Sequence, residues 1–154
     1  MSLNYYQFGY VTTDLDRAMD EIGRMHQIGS FMISKDAAFD VGKGRQVVAH
    51  CALAFKGEAM FEILQPIGGD AGAYLELLPE EGYALRLHHV GRHFESRAEC
   101  DAQIENARAR WAIPMEAEFG EGYFAYADAR ADFGHFLEFF SFPADSHLAD
   151  VPRY

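Results

Sequence analysis

The feature that most constrains this chain is an internal repeat. Gln7-Phe8-Gly9 opens an apolar run followed by a helix signal, and His89-Val90-Gly91 does the same 82 residues on. Each half then closes on an apolar run broken by one carboxylate: Met60-Phe61-Glu62-Ile63-Leu64 in the first, Phe136-Leu137-Glu138-Phe139-Phe140 in the second. Neither half of a repeat this size buries its hydrophobic face alone, so the two are expected to build one joint sheet about a pseudo-twofold axis. Glu is seldom buried without a partner, and two Glu inside apolar strands need compensation. Gln7, Glu62, His89 and Glu138, from the first and last strands of the two halves, can supply it to one another through one cation.

Hydrophobic periodicity places the elements. Residues 5 to 12 alternate as a strand, and Thr13-Asp14 cap a helix whose Leu15, Ala18, Met19, Ile22 and Met25 keep helical spacing. A strand over 30 to 35, a glycine-containing loop from Asp36 to Arg45, and strands over 46 to 55 and 59 to 65 complete the first half, with Pro66 expected to stop the sheet. A connector over residues 67 to 82 carries a short helix. The pattern then restarts with a strand over 83 to 94, a helix opened by the Ser96 and Glu99 capping box, and strands over 114 to 119, 122 to 128 and 134 to 142. The expectation is an α+β fold of two tandem βαβββ modules, about residues 4 to 66 and 83 to 142, forming one curved mixed sheet around a shared concavity. A polar tail over 143 to 154 is expected to wrap the outside.

Composition narrows the function class. At 154 residues with a net charge of -11, the chain offers no Lys/Arg patch, which argues against nucleic acid and anionic membrane as partners. No run of about 18 apolar residues occurs, and Cys51 and Cys100 lack CxxC spacing, so reduced thiols in a cytoplasmic protein are expected. A small molecule is the expected partner, and a homodimer is left open.

At these residues the chain resembles the vicinal oxygen chelate superfamily, which includes glyoxalase I, methylmalonyl-CoA epimerase, extradiol dioxygenases and bleomycin resistance proteins. The resemblance rests on QFGYVTTDLDRAM, FEILQP, HHVG and YFAYADARADFGHFLEFF, and covers nearly the whole chain. It implies that Gln7, Glu62, His89 and Glu138 hold one divalent metal ion (Zn, Ni, Co, Mn, Mg or Fe). It also implies that Glu138, and secondarily Glu62, moves a proton beside a metal-polarised carbonyl in a lyase, isomerase or epimerase reaction. Gln7 counts against the His/His/Glu triad of an extradiol dioxygenase. The alternative is a binding protein of the same fold that sequesters a small molecule without chemistry.

Each residue also has a plainer reading. Gln7 alone is a common hydrogen-bonding filler, and either Glu alone suits an edge strand facing solvent. Strand alternation puts His89 on the same face as Leu87, Gly91 and His93, and sends His88 to the opposite face as a packing or surface residue. His26 and His147 are expected to be exposed.

Overall fold

The structure, a computed structural model, describes residues 5–154; the start of the first module, read at about residue 4, lies outside them. The first half comprises β1 (Tyr6–Thr12), α1 (Leu15–His26), β2 (Met32–Asp40), β3 (Gln46–Lys56) and β4 (Ala59–Gly69). After the short α2 (Gly72–Leu75), the second half repeats it with β5 (Leu85–His93), α3 (Arg97–Arg108), β6 (Met115–Phe119), β7 (Gly122–Ala127), a four-residue α4 (Arg130–Phe133) and β8 (Phe136–Ser141). Both halves are β-α-β-β-β, as the repeat implies, with the short α4 added before the last strand of the second.

The eight strands close into one barrel in the order β1-β4-β3-β2-β6-β7-β8-β5. In each half the first and last strands run parallel, β1 with β4 and β5 with β8, and the halves meet along the antiparallel β1–β5 pair. On the far side the circle is completed by a single pairing, Asp40 with Glu118.

Alternation sorts the side chains. Met60 and Leu64 on β4, with Phe136 and Phe140 on β8, point into the barrel and join its central core. Phe61 and Ile63 point outward against Leu15, Ala18 and Ile22 of α1, which Asp14 caps through the Arg17 N–H at 3.0 Å. Cys100 and Ile104 of α3 cover Tyr123 and Ala125 in the same way, and Ser96 caps that helix through the Glu99 N–H at 3.2 Å. Both thiols are free and buried. Among the described residues no helix is long and apolar enough to cross a membrane.

Two bulges move boundaries from where periodicity puts them. β2 runs on to Asp40 instead of ending at residue 35, because the register slips between Ser34 and Ala37 and pairing resumes beyond the slip. Asp36 sits there with φ 54° and donates its N–H to His50 Nδ1 at 3.1 Å. Pro66 does not stop β4: it lies where the register against Val48 and Ala49 shifts, a position at which a missing N–H is tolerated. The tail also departs from expectation. A 3-10 turn at His147–Asp150 places Leu148 in the core, and the Pro152 carbonyl and Tyr154 N–H pair with the backbone of Phe55 at 2.8 and 3.1 Å.

Candidate functional site

β1, β4, β5 and β8 each contribute one polar side chain to a cluster inside the barrel. The three oxygen donors surround His89 Nε2: Gln7 Oε1 at 3.2 Å, Glu62 Oε2 at 3.2 Å and Glu138 Oε2 at 3.3 Å. His89 is fully buried, Gln7 and Glu138 nearly so. Alternation explains the placement, since Glu62 lies between inward Met60 and Leu64, and Glu138 between inward Phe136 and Phe140. Neither Glu stands on an outer face: Glu138 is buried and Glu62, half-buried, lines the interior cavity.

His88 does not follow the alternation. Gly9 pairs with His89 and Tyr10 with Leu87, so His88 is the extra residue of a β-bulge and turns inward beside its neighbour, while Leu87 is turned out. Its Nε2 lies 3.0 Å from the Ala73 carbonyl and its Nδ1 lies 2.9 Å from His89 Nδ1. A carbonyl only accepts, so His88 Nε2 carries the proton. Burial, reinforced by the neighbouring His89, depresses His88 to about 3, so it is neutral and its Nδ1 is a lone pair. That lone pair takes the His89 Nδ1–H. The tautomer of His89 is therefore fixed: its Nε2 is the nitrogen left to face the three oxygens.

In this protonation pattern His89 is charged. Burial alone would lower it, but Glu138 and Glu62 outweigh that effect and lift it to about 9. Burial raises Glu138, against the pull of His89. The compensation is incomplete, because one Nε2–H serves one acceptor well and three surround it. Gln7 Oε1 is aligned to accept that hydrogen, while Glu62 Oε2 and Glu138 Oε2, at 3.2 and 3.3 Å, are held to the imidazolium by charge and have no other hydrogen-bond partner.

Among the described residues no group of His, Cys, Asp and Glu is set out as a formed ion shell; the oxygens close on the imidazole nitrogen itself. The donor set nonetheless fits a divalent ion in kind. It comprises one imidazole whose Nε2 is aimed at the cluster by the bond from its Nδ1 to His88, one amide oxygen and two carboxylates that share a single nitrogen partner. A cation satisfies several oxygens at once where a proton cannot.

The cluster forms one side of a cavity of about 50 Å³, room for only a few heavy atoms, whose other walls include Phe39, Leu53, Met60, Phe124 and Phe140. Tyr126 stacks obliquely near His89 at 4.9 Å and hydrogen-bonds Tyr74 at 2.9 Å, so both hydroxyls are engaged with each other. Of the arginines suited to an anionic substrate group, Arg130 is held by Asp128 and Glu76, and Arg45 by Asp70. The sequence reading missed His88 and His147. Two adjacent His at the start of an apolar strand were the available signal for the first.

No protein-family model matches the chain, and no curated protein matches it in sequence. Solved structures do match its fold. A methylmalonyl-CoA epimerase of Streptomyces coelicolor, in complex with 2-nitronate-propionyl-CoA, is 15% identical with a TM-score of 0.57 over 92% of this chain and 97% of its own. A methylmalonyl-CoA epimerase in complex with methylmalonyl-CoA and NH4+ is 16% identical with a TM-score of 0.58 over 94% and 97%. The methylmalonyl-CoA epimerase of Mycobacterium tuberculosis is 12% identical with a TM-score of 0.57 over 95% and 91%. The paired βαβββ barrel of this chain is thus the fold seen in these methylmalonyl-CoA epimerases.

Proposed function

We propose that this chain is an enzyme that removes a proton from the carbon beside a carbonyl, in the manner of an epimerase, using one divalent ion held by Gln7, Glu62, His89 and Glu138. The observation that carries this reading is the pair of buried carboxylate oxygens focused, with Gln7, on the one nitrogen His89 Nε2 at the side of an apolar cavity. Sequestration of a small molecule gives no reason to bury two carboxylates there. The likeness to epimerases seen with thioester ligands supports the same choice among reactions that the superfamily performs.

When bound, the ion would supply positive charge where a carbonyl oxygen becomes an enolate. The chain's own residues do the rest. Glu138 is the base, because burial raises its affinity for a proton toward the range in which a carboxylate can both take and return one. Glu62 is the second candidate. Gln7 and His89 hold position, and the aromatic walls exclude water from the reacting carbon. The cavity is too small for a long carrier, which stays outside it.

The test combines metal content with isotope exchange. Purified protein should carry about one divalent ion per chain. In deuterated water it should exchange the proton beside the carbonyl in a panel of 2-substituted acyl thioesters and hemithioacetals. Glu138→Gln should retain the fold and lose the exchange. Protein that neither binds nor is thermally stabilised by Mn, Co, Ni or Zn would defeat the proposal.

A further inference from the structure

The cluster residues come from β4, β1, β5 and β8, which are consecutive around the barrel, so they occupy one arc of its wall. The opposite arc is built from β3, β2, β6 and β7. His147, from the tail, lies where that arc meets the end of β8. Its ring meets Phe119 of β6 at 5.3 Å and Phe142, just beyond β8, at 5.4 Å, both edge-on at 81°. These contacts set the plane of the imidazole without using its nitrogens. The Ser146 hydroxyl, accepting from the Leu148 N–H at 3.4 Å, caps the turn that delivers it. His147 lines the same cavity as Glu62 and Glu138.

Other titratable groups on the cavity wall are poorly suited to accept a proton from carbon. Tyr74 and Tyr126 are bonded to each other, and burial pushes both hydroxyls and the Cys51 thiol well up. Burial pushes His147 the other way, with Glu62 working against it, which leaves a neutral imidazole as an available base.

The geometry points to His147 as a second catalytic residue, the acid–base group that serves the face of the substrate carbon turned away from the Glu138 cluster. This rests on the proton-transfer reading of the same site. One direction runs as follows. Neutral His147 takes the proton from its face, the C–H electron pair passes into the enolate, and the carboxylic acid of Glu138 returns a proton to the opposite face. The reaction leaves imidazolium and carboxylate, which exchange one proton through water to reset the site. No oxidant or co-reactant is needed, and the product is the inverted stereoisomer.

The experiment offers each pure enantiomer of methylmalonyl-CoA, separately, to metal-loaded protein in deuterated water. Wild type should invert both and place deuterium at the inverted carbon. His147→Gln should lower inversion by about 100-fold or more, the usual scale for a lost general acid–base group, while one enantiomer still exchanges its proton through Glu138. His147→Asn should behave alike, both variants should melt as wild type does, and the limb of the pH–rate profile belonging to the imidazole should vanish. Inversion within about tenfold of wild type in both variants would overturn the role of His147 alone. Wild-type protein that neither exchanges nor inverts either thioester would overturn the proton-transfer reading beneath it, and the role of His147 with it.

Discussion

Gly9 and His89 stand opposite each other across the β1–β5 pair, and the His89 imidazole occupies the space that a side chain at residue 9 would need. The repeat makes this reciprocal. Gln7 pairs with Gly91, and a Cβ at residue 91 would press on Glu138 Oε2 and Gln7 Oε1. Each half therefore contributes a ligand-type residue and, two positions on, the glycine that clears room for the other half's cluster member. Gly9→Ala should destabilise the protein by about 1–3 kcal/mol, as overpacking does, and displace the imidazole. Thermal unfolding together with metal titration checks this; an unaltered melting point with unaltered metal binding would contradict it.

His88→Phe preserves the stacking on Phe136 at 4.6 Å but removes both hydrogen bonds. His89 then loses the partner that fixes its tautomer, and metal affinity should fall about 10–100-fold. The direct readout is the nitrogen NMR spectrum of the His89 ring in metal-free protein, which should show mixed tautomers or altered ionisation in the variant. A spectrum and affinity identical to wild type would remove the positioning role of His88.

Stability and metal binding should depend on pH in opposite directions. His89 is raised from 6.5 to about 9 in the folded protein, so its contribution to metal-free stability is complete below about 6.5 and is lost as pH rises through about 9. A metal must displace the Nε2 proton, so its apparent affinity should rise across that same window. Melting curves of metal-free protein and titrations with Zn or Mn at several pH values between 6 and 10 give both slopes. Equal signs would show that the proton on Nε2 does not compete with the ion.

Leu148 anchors the tail in the barrel core while His147 beside it lines the cavity. Leu148→Ala should cost about 2–3 kcal/mol through the void it leaves. It should also loosen the tail, seen as faster amide exchange at Phe55 and Tyr154, whose backbones pair with each other. Exchange there at the wild-type rate would mean that the tail is held independently of this side chain.

Alternation and duplication made the larger outline legible in the residues. Met60, Glu62 and Leu64 face in because every second residue of a strand does, and the same arithmetic placed Glu138. It failed wherever a strand carries an extra residue. A bulge at His88 turned a presumed outward side chain inward, and bulges at Asp36 and Pro66 let strands continue through residues that ordinarily end them. Bulges are fixed by pairing with a neighbouring strand, which is distant in sequence and invisible to local periodicity. His147 was illegible for a related reason: a polar tail takes its position from the barrel mouth it covers, and nothing within residues 143 to 154 records that.

The lone Asp40–Glu118 rung has a mechanical consequence. Between β2 and β6 this is the one ladder pairing, backed by the edge-on contact of Phe39 with Phe119 at 5.3 Å. The molecule behaves as a pair of half-shells hinged along β1 and β5 and clasped on the other side by its weakest link. Opening that clasp breaks few backbone bonds and parts Phe39 from Phe119 and Phe124 while leaving both helices seated on their own halves, so it is expected to cost less than global unfolding. Amides beside Asp40 and Glu118 should therefore trade hydrogen with solvent long before those of Gln7 and His89.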